Sequence, residues 1–249
     1  MSRFIAATSK ITGPAHVRRA SATALPYGDA SFDYCFTDPP FGANIIYSDC
    51  SLLWEAWLGD FTDKSSEAVM NQQGKGLERY ADLMRESFRE VHRVLKPRAL
   101  TTVVFQNTDP SVWDALVAAT VDAGFALEDV HVLHKVQPSF KGVKAQEEGE
   151  RVAASDVVLT LRRAKRGSAQ LTIVGFEPIW AAVTEELRRT DLSKRQRGSG
   201  HLYAVAIAAA VTSGIPATHT TFEALEAWLG ETCERTSEGW QLREVAVGV

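Results

Sequence analysis

The sequence predicts an α/β protein with a small, mainly helical module at its carboxyl end. Strand-like and helix-like segments alternate along the first two thirds of the 249 residues, which is the pattern of a doubly wound, mainly parallel sheet. Hydrophobic residues at 45% and charged residues at 23% are the proportions of a globular protein. We therefore divide the chain into residues 1–164 and residues 169–249, with a short polar linker between them.

The first predicted strand covers residues 32–37, where aromatic residues are concentrated. A turn-rich segment, residues 25–31, precedes it, and residues 16–21 are a candidate for a further short strand. Pro39 and Pro40 follow the strand directly. Because proline cannot donate to a sheet ladder, the strand must end at this point.

A helix is predicted over residues 48–58, where apolar side chains recur at helical spacing. Ser48 or Asp49 is expected to cap its first turn, because short polar side chains accept hydrogen bonds from the free N–H groups there. The same spacing leads us to expect Trp54 and Trp57 in the core and not on the surface.

The remaining elements continue the alternation. They are a loop at 59–75, a helix at 77–95, a strand at 99–105, a helix at 111–123, and strands at 125–133 and 152–161. Because no helix separates the last two strands, we expect an antiparallel hairpin at the edge of the sheet. Beyond the linker, the sequence predicts helices near 177–189, 200–213 and 221–231, and a strand at 241–245.

Composition excludes several classes of protein. The formal net charge of -4 argues against a globally basic nucleic-acid binder, although not against a local basic face. The cysteines Cys35, Cys50 and Cys233 are too widely spaced for a disulfide framework or a zinc ribbon. His131 and His134 should point to opposite faces of one strand, so we expect no metal site. We find neither a membrane span nor a signal peptide, and expect a soluble cytoplasmic protein.

The most informative segment is Asp38-Pro39-Pro40-Phe41, which we call the DPPF loop. Tetrapeptides of this kind are typical of enzymes that methylate amino groups. The carboxylate of Asp38 and the carbonyl of Pro39 would accept the two hydrogens of an exocyclic amine and stabilise the charge that develops on its nitrogen. The prolines hold these acceptors in place, and Phe41 offers a flat face to a base withdrawn from its stack.

The surrounding sequence resembles that of large bacterial DNA methylases over about residues 20–163. The segments that carry the resemblance are 33–49 (DYCFTDPPFGANIIYSD), 54–59 (WEAWLG), 74–80 (GKGLERY), 103–107 (VVFQN) and 137–141 (QPSFK). Residues 25–33 and 89–97 also match the stretches that flank the signature in many methyltransferases.

The resemblance implies a Rossmann-like, S-adenosylmethionine-dependent methyltransferase domain that acts on an exocyclic amine of DNA, with adenine favoured over cytosine. Such enzymes occur in restriction–modification systems. The catalytic residues would be Asp38, Pro39, Pro40 and Phe41. The methyl donor, S-adenosyl-L-methionine, would contact Ser21, Ala22 and Asp38. The substrate would contact Phe41, Asn44, Tyr47 and Lys141.

The chain departs from this family at the donor site. The family binds the donor on an FxGxG loop upstream of the signature, and residues 1–20 contain none. The segment 197–200 (RGSG) has similar spacing but follows basic, polar residues, so we interpret it as a loop before a helix. Ser21 also stands where an aspartate is common. We therefore expect a second polypeptide, or self-association, to supply the donor loop, because an incomplete sheet leaves an apolar edge exposed.

Two alternative functions stay open. An RNA methyltransferase of the tRNA guanine-N2 type has a similar signature but lacks the WEAWLG continuation. A non-catalytic remnant would bind DNA or a partner without the donor. If the protein binds a nucleic acid, the basic run 188–197 would contact its phosphate backbone. The alternative is that this run is a solvated helix end.

Overall fold

The structure is a computed structural model that describes residues 15–42, 46–70, 74–134, 155–164 and 177–243. A four-stranded sheet with the order β1-β2-β4-β3 lies at its centre. The strands are β1 (Phe32–Thr37), β2 (Leu95–Phe105), β3 (Phe125–His134) and β4 (Ser155–Arg163). β1 and β2 are parallel, and β4 is antiparallel to both of its neighbours.

The α/β class is confirmed, whereas the mainly parallel sheet is corrected to a mixed one. The predicted hairpin of β3 and β4 forms, but β4 lies inside the sheet and β3 lies at its edge. The side chains explain this order. Val157, Leu159 and Leu161 of β4 are buried, as is usual for an inner strand, while His131 and Leu133 of β3 are exposed and tolerate an edge.

Six α-helices, two short 3₁₀ helices (Lys64–Ser66 and Ala217–His219) and a small hairpin complete the part of the chain that the structure describes. The helices are α1 (Tyr47–Leu58), α2 (Leu77–Val94), α3 (Pro110–Ala123), α4 (Glu177–Arg188), α5 (Ser199–Thr212) and α6 (Phe222–Thr232). The hairpin consists of β5 (Cys233–Thr236) and β6 (Gly239–Leu242). All six helices start and end within two residues of their predicted limits.

Local sequence signals account for the limits of α3. The side chain of Asp109 accepts a hydrogen bond from the N–H of Ser111 and caps the first turn. Gly124 ends the helix at a φ of 101°, in the left-handed region that glycine adopts without a Cβ clash.

One predicted element is wrong, and two others differ in their limits. Residues 16–21 form no strand, because they lie exposed beside no other strand and Arg19 pairs with Asp60. β2 begins at Leu95 and not at residue 99, because Leu95 already pairs with Phe32 of β1. The predicted strand 241–245 is observed in part: β6 spans Gly239–Leu242 and pairs with β5, which the sequence did not predict, and residues 244 and 245 lie outside the described residues. Among the described residues, no strand precedes β1.

The described helices that contact the sheet pack on one of its faces. The ring of Phe105 in β2 meets that of Trp113 in α3 edge to face, with centroids 4.8 Å apart. Ser155 of β4 bonds to His201 of α5 on the same face. On the opposite face, Tyr34 and Phe36 of β1 are exposed. The core therefore lies between the sheet and a single layer of helices.

The carboxyl-terminal helices share this core. α5 packs against β3 and β4, and buried side chains of α4 to α6 belong to the same apolar cluster as those of the sheet. His201 of α5 links the two parts, because its Nδ1 lies 2.8 Å from Ser155 Oγ and its Nε2 lies 3.0 Å from Glu186 Oε1. The predicted linker at 165–168 lies outside the described residues, so the division into two domains stays a prediction.

Helix α1 lies outside the core. Its only buried residue is Ser48, while Trp54 and Trp57 are 73% and 90% exposed. The expectation that both tryptophans are core residues is therefore wrong, because apolar side chains at helical spacing reveal an apolar surface without revealing what covers it. The predicted cap is wrong as well, since Ile46 occupies the cap position and its own side chain makes no capping hydrogen bond.

Candidate active site at the carboxyl end of the first strand

The DPPF loop lies at the carboxyl end of β1, immediately after Thr37. Thr37 pairs in parallel with Val103 of β2, so the carboxyl ends of the two strands meet at the same edge of the sheet. In open α/β sheets this edge is where ligands bind. The loop therefore occupies the position at which a substrate site is expected.

Tyr80 of α2 holds the DPPF loop in place through a hydrogen bond. Its side chain is fully buried, at 0% exposure, and its hydroxyl donates a hydrogen bond of 2.7 Å to the carbonyl of Pro40. Burial raises the pKa of Tyr80, so the hydroxyl keeps its proton at neutral pH and remains a donor. A buried carbonyl without such a donor is costly, which makes Tyr80 a structural support of the loop.

Asn107, which lies two residues beyond the end of β2, holds the DPPF loop through a second hydrogen bond. Its Nδ2 donates to the carbonyl of Phe41 over 2.6 Å, and its Oδ1 accepts from the N–H of Asp109 over 2.7 Å. The indole N–H of Trp113 donates to the Asn107 carbonyl over 3.0 Å. Both ends of the Asn107 amide and its backbone are therefore held, which fixes the direction of its bond to the loop.

The end of the loop packs on the core. The half-buried ring of Phe41 meets Phe105 edge to face, with centroids 5.4 Å apart. Gly42 follows at a φ of 84°, and a Cβ added there would lie 3.4 Å from the side chain of Met70. Gly42 also forms a parallel bridge with Val69. The loop is thus enclosed by α2, β2 and the 69–70 segment.

Among the four residues of the loop, Asp38 is the exposed one. The carbonyls of Pro40 and Phe41 are engaged by Tyr80 and Asn107. Asp38 is exposed, whereas the ring of Pro39 is buried. The exposed carboxylate is therefore held by a rigid turn, and the roles of Asp38 and Pro39 as paired acceptors stay predictions.

Tyr47, a predicted substrate contact, lies at the start of α1 close to Asp38. Partial burial raises the pKa of Tyr47, and the negative charges of Asp38 and of Cys50 raise it further. The side chain is still 48% exposed. The charge of Asp38 thus acts on Tyr47, and the role of Tyr47 as a substrate contact stays a prediction.

Glu67 anchors the start of α1. It accepts hydrogen bonds from the N–H of Ser48 over 2.9 Å and from its hydroxyl over 2.6 Å. This contact buries Ser48 and replaces the side-chain cap that the sequence predicted. It also sets where Tyr47 sits relative to the DPPF loop.

Ser21 and Ala22, the predicted donor contacts, lie in an exposed turn. The hydroxyl of Ser21 is 2.8 Å from that of Thr23. The chain is then fastened to the end of α2, where the N–H of Leu25 donates to Glu90 over 2.8 Å. No contact tests a role for Ser21 or Ala22 in donor binding, which stays a prediction.

Two further predicted substrate residues, Asn44 and Lys141, lie outside the described residues. The described residues contain no cluster of histidine, cysteine, aspartate and glutamate side chains that would hold a metal ion. His131 faces Asp129 on one side of β3, while His134 lies on the other side near His201. This arrangement agrees with the prediction that the two histidines point to opposite faces.

The basic run 188–197 is partly neutralised within the protein. Arg189 pairs with Asp191 over 2.9 Å and with Glu186 over 3.3 Å. The guanidinium of Arg197 donates to the backbone carbonyls of Leu187 and Arg189. These arginines support the turn that leads into α5, which favours the reading of the run as a solvated helix end.

Only weak sequence signals point to Tyr80 and Asn107, the two residues that hold the loop. Tyr80 lies on the buried stripe of α2, where its hydroxyl requires a partner. Asn107 follows the carboxyl end of a strand adjacent to β1, which is a position typical of ligand sites. Neither signal identifies the partner, because both hydrogen bonds join residues at least 40 positions apart.

No helix within the described residues is long and apolar enough to cross a membrane. No protein-family profile and no curated protein matches the chain.

Several solved structures resemble it at low identity. A SAM-dependent methyltransferase from Methanosarcina mazei is 15% identical, with a TM-score of 0.35 over 62% of this chain and 70% of its own. A proposed DNA modification methylase from Thermus thermophilus, in a complex with S-adenosyl-L-methionine, is also 15% identical, with a TM-score of 0.35 over 78% of this chain and 84% of its own. The cyclase SpnF is 16% identical, with a TM-score of 0.31, and is covered over 54% of its length by 58% of this chain. At these values, the assignment of an activity depends on the chain's own residues.

Proposed function

We propose that this chain carries the acceptor half of a DNA amino-methyltransferase, which transfers a methyl group from S-adenosyl-L-methionine to the exocyclic amine of a base, with adenine favoured. The observation that carries the proposal is the geometry of the DPPF loop. Asp38 is exposed at the carboxyl end of β1. Tyr80 and Asn107 donate hydrogen bonds to the carbonyls of Pro40 and Phe41, which hold the rest of the loop in place.

The proposed chemistry uses acceptors and no covalent enzyme intermediate. The lone pair of an exocyclic amine is delocalised into its ring, so the nitrogen is a poor nucleophile. The carboxylate of Asp38 and the carbonyl of Pro39 accept the two N–H hydrogens, which localises the lone pair and stabilises the positive charge that develops. The methylated amine then loses a proton readily, so Asp38 need not act as a strong base.

Rigidity of the acceptors is the contribution of Tyr80 and Asn107. Acceptors that are already in place need no reorganisation as charge develops, and this preorganisation is a major part of enzymatic electrostatic stabilisation. Phe41 is proposed to contact the base with the part of its ring that Phe105 leaves uncovered, and Tyr47 to contact it from the start of α1. Asn44 and Lys141 stay proposed substrate contacts.

S-adenosyl-L-methionine supplies the electrophilic methyl group when bound. The proposed contacts are Ser21, Ala22 and Asp38, but these residues do not form a complete donor site. The described residues contain no glycine-rich turn after a strand, which is the usual means of placing backbone N–H groups against a nucleotide-like ligand. The rest of the donor site is therefore proposed to come from a second polypeptide or from self-association.

DNA is the proposed nucleic-acid partner because the WEAWLG continuation belongs to the DNA enzymes that the sequence resembles. The function is then part of cytoplasmic DNA methylation of the restriction–modification kind. An RNA methyltransferase is the main alternative. A non-catalytic subunit that binds a partner is the second alternative, and the exposed aromatic side chains of α1 favour it because they offer a surface for binding.

Calorimetry with S-adenosylmethionine, followed by methyl incorporation into DNA and into tRNA, tests the proposal. The chain is purified from its source cells with any bound partner, so that a donor loop supplied in trans is present. We expect donor binding, and label in DNA that is lost in Asp38→Ala. Asp33→Ala is the matched control, because Asp33 is an exposed carboxylate of β1 that pairs with Lys96. If this material does not bind the donor, the proposal that the chain is part of a methyltransferase is wrong. If label appears in tRNA alone, the proposal that DNA is the substrate is wrong.

A further inference from the structure

The polar side of helix α1 is the side that contacts the rest of the protein. The N–H and the hydroxyl of Ser48 donate to Glu67 over 2.9 and 2.6 Å. The carboxylate of Glu55 accepts from the hydroxyl of Ser51 over 3.0 Å and from the N–H of Thr62 over 3.1 Å. A helix on the surface of a globular protein normally turns its apolar side inward. In α1 this arrangement is reversed.

The apolar side of α1 forms one continuous surface. Leu53, Trp54, Trp57 and Leu58 are 76%, 73%, 90% and 79% exposed, and we call these four residues the α1 surface. At 3.6 residues per turn they lie within about 140° of the helix circumference. One partner can therefore cover all four side chains at once.

The α1 surface is large enough to form the centre of a protein interface. A covered aromatic side chain buries about 150–250 Å², and a covered leucine buries about 100 Å², so the four residues offer on the order of 500 Å². Monomeric proteins seldom expose contiguous apolar patches beyond a few hundred Å². A standard interface buries about 800 Å² on each partner. The α1 surface would supply more than half of this area, and polar groups around it would supply the rim.

An exposed ion pair lies at each end of α1. At the amino end, Lys64 Nζ is 2.9 Å from Asp49 Oδ1, and just beyond the carboxyl end Arg19 pairs with Asp60. All four side chains are more than half exposed. If two α1 helices pack antiparallel, the amino end of one lies beside the carboxyl end of the other, so each aspartate can approach a cation of the other copy. Parallel packing would place Asp49 beside Asp49 and would align the two helix dipoles, which is unfavourable.

We propose that the α1 surface is the interface between two copies of this chain, in which the two α1 helices pack antiparallel. The midpoint of the surface lies between residues 55 and 56. Trp54 of one copy therefore lies against Trp57 of the other, and Leu53 against Leu58. Such an interface uses the same surface of both copies, as in most dimers of identical chains. The inference does not depend on the proposed function.

A nucleic acid or a membrane fits the α1 surface less well than a second copy does. Residues 46–70 contain five acidic side chains and one lysine, and that lysine pairs with Asp49. Phosphate backbones and anionic membrane surfaces both attract basic segments. A second copy needs no excess of cations, because the ion pairs at the two ends of α1 complement each other.

Analytical ultracentrifugation of the purified full chain, from low to high micromolar concentration, tests the interface. We expect a dimer whose dissociation constant rises at least a hundredfold in Leu53→Glu and in Trp57→Glu, because each places a charge in the apolar contact. Leu133→Glu is the control, since Leu133 is 52% exposed on β3 at the edge of the sheet, and it should leave the dimer unchanged. Circular dichroism checks that each variant is folded.

Two results of this experiment would overturn the inference. The first is a chain that stays monomeric at every concentration, including one that binds a different protein through α1. The second is a dimer that Trp57→Glu leaves intact.

Disulfide formation tests the antiparallel packing. Leu53→Cys and Leu58→Cys, each in a Cys50→Ser chain, are mixed and oxidised mildly. We expect a disulfide between position 53 of one copy and position 58 of the other, and none in either variant alone. Two copies of position 53 would be offset by five residues, or about 7.5 Å along the helix axis, which is beyond the reach of a disulfide. A disulfide in either variant alone would show parallel packing, and its absence from the mixture would contradict the proposed contact.

Discussion

The hydroxyl of Tyr80 donates to the carbonyl of Pro40 over 2.7 Å, from a side chain with no exposed surface. This single bond ties the second residue of a proline pair to the middle of the core. Together with the bond from Asn107 to Phe41, it makes the DPPF loop a rigid part of the fold and not a surface turn.

Replacement of Tyr80 by phenylalanine removes this donor and leaves the Pro40 carbonyl unsatisfied. We expect a loss of about 1–3 kcal/mol in the free energy of unfolding, measured by urea denaturation. We also expect kcat for methyl transfer to fall about tenfold or more, with a smaller change in KM, because the loop loses its fixed direction. Tyr203→Phe is the control, since its buried hydroxyl bonds to Thr108 and not to the loop. Equal losses of kcat in both variants would contradict a role specific to Tyr80.

Asn107→Ala removes the donor to the Phe41 carbonyl and the acceptor for the N–H of Asp109. It keeps the backbone carbonyl that Trp113 bonds. Two unsatisfied groups should lower the free energy of unfolding by about 2–4 kcal/mol. Thermal and urea unfolding measure the change. A change below about 0.5 kcal/mol, which is typical of surface positions, would show that Asn107 does not hold the loop.

Gly42 adopts a φ of 84°, whereas Gly230 lies in α6 with open space around it. An alanine at position 42 must adopt a left-handed backbone, so we expect Gly42→Ala to destabilise the protein by about 1–2 kcal/mol. Gly230→Ala should instead stabilise it by about 0.5–1 kcal/mol, because alanine favours a helix. Urea unfolding of the two variants should therefore give changes of opposite sign. Changes of the same sign would contradict the described backbone at position 42.

Because Trp57 is exposed and Trp113 is buried, replacing each by alanine should change the free energy of unfolding by very different amounts. Trp57 is 90% exposed and Trp113 is 1% exposed. Trp57→Ala should change the free energy of unfolding by less than about 0.5 kcal/mol, while Trp113→Ala should lower it by about 3–5 kcal/mol. These values apply to the chain without a partner. A large loss in Trp57→Ala under those conditions would mean that α1 belongs to the core.

His134 gives the structure a defined dependence on pH. Burial lowers its pKa, and the charges of His201 and Arg195 lower it further. His201 in turn lies between Ser155 and Glu186. Below about pH 6.5, the ordinary pKa of histidine, the unfolded chain binds a proton at this site before the folded chain does.

The contribution of His134 to stability is therefore present above pH 6.5 and is lost as the pH falls through the lowered pKa of the folded state. Thermal unfolding between pH 7.5 and 5 should show a decrease that is shallower in His134→Gln. An identical slope in the variant would contradict the assigned direction.

Local sequence signals predicted the elements well and their arrangement less well. The aromatic run of β1 and the glycine after α3 each act within a few residues, so their positions were correct. The placement of β4 between β2 and β3 depends on which strands pair across long stretches of the chain, a property of the whole sheet. Trp54 and Trp57 show the same limit, because helical spacing identifies an apolar face but cannot identify what covers it.

The candidate site divides in the same way. Asp38 and its loop were recognisable because four consecutive residues carry the pattern. Tyr80 and Asn107 were not, because their roles arise only when α2 and the end of β2 meet the loop in three dimensions. The roles of Tyr47, Ser21 and Ala22 stay predictions; Tyr47 begins α1, whereas Ser21 and Ala22 lie in an exposed turn.

Methyl transfer from labelled S-adenosylmethionine to DNA, by the complex purified from source cells, tests most directly whether the DPPF loop is the methyl-acceptor site. We expect label on the exocyclic amine of a base for the native chain and for Asp33→Ala. For Asp38→Ala we expect a loss of about 100-fold or more, which is the scale of removing one transition-state contact. Undiminished label in the Asp38→Ala complex would contradict the claim that the DPPF loop is the methyl-acceptor site.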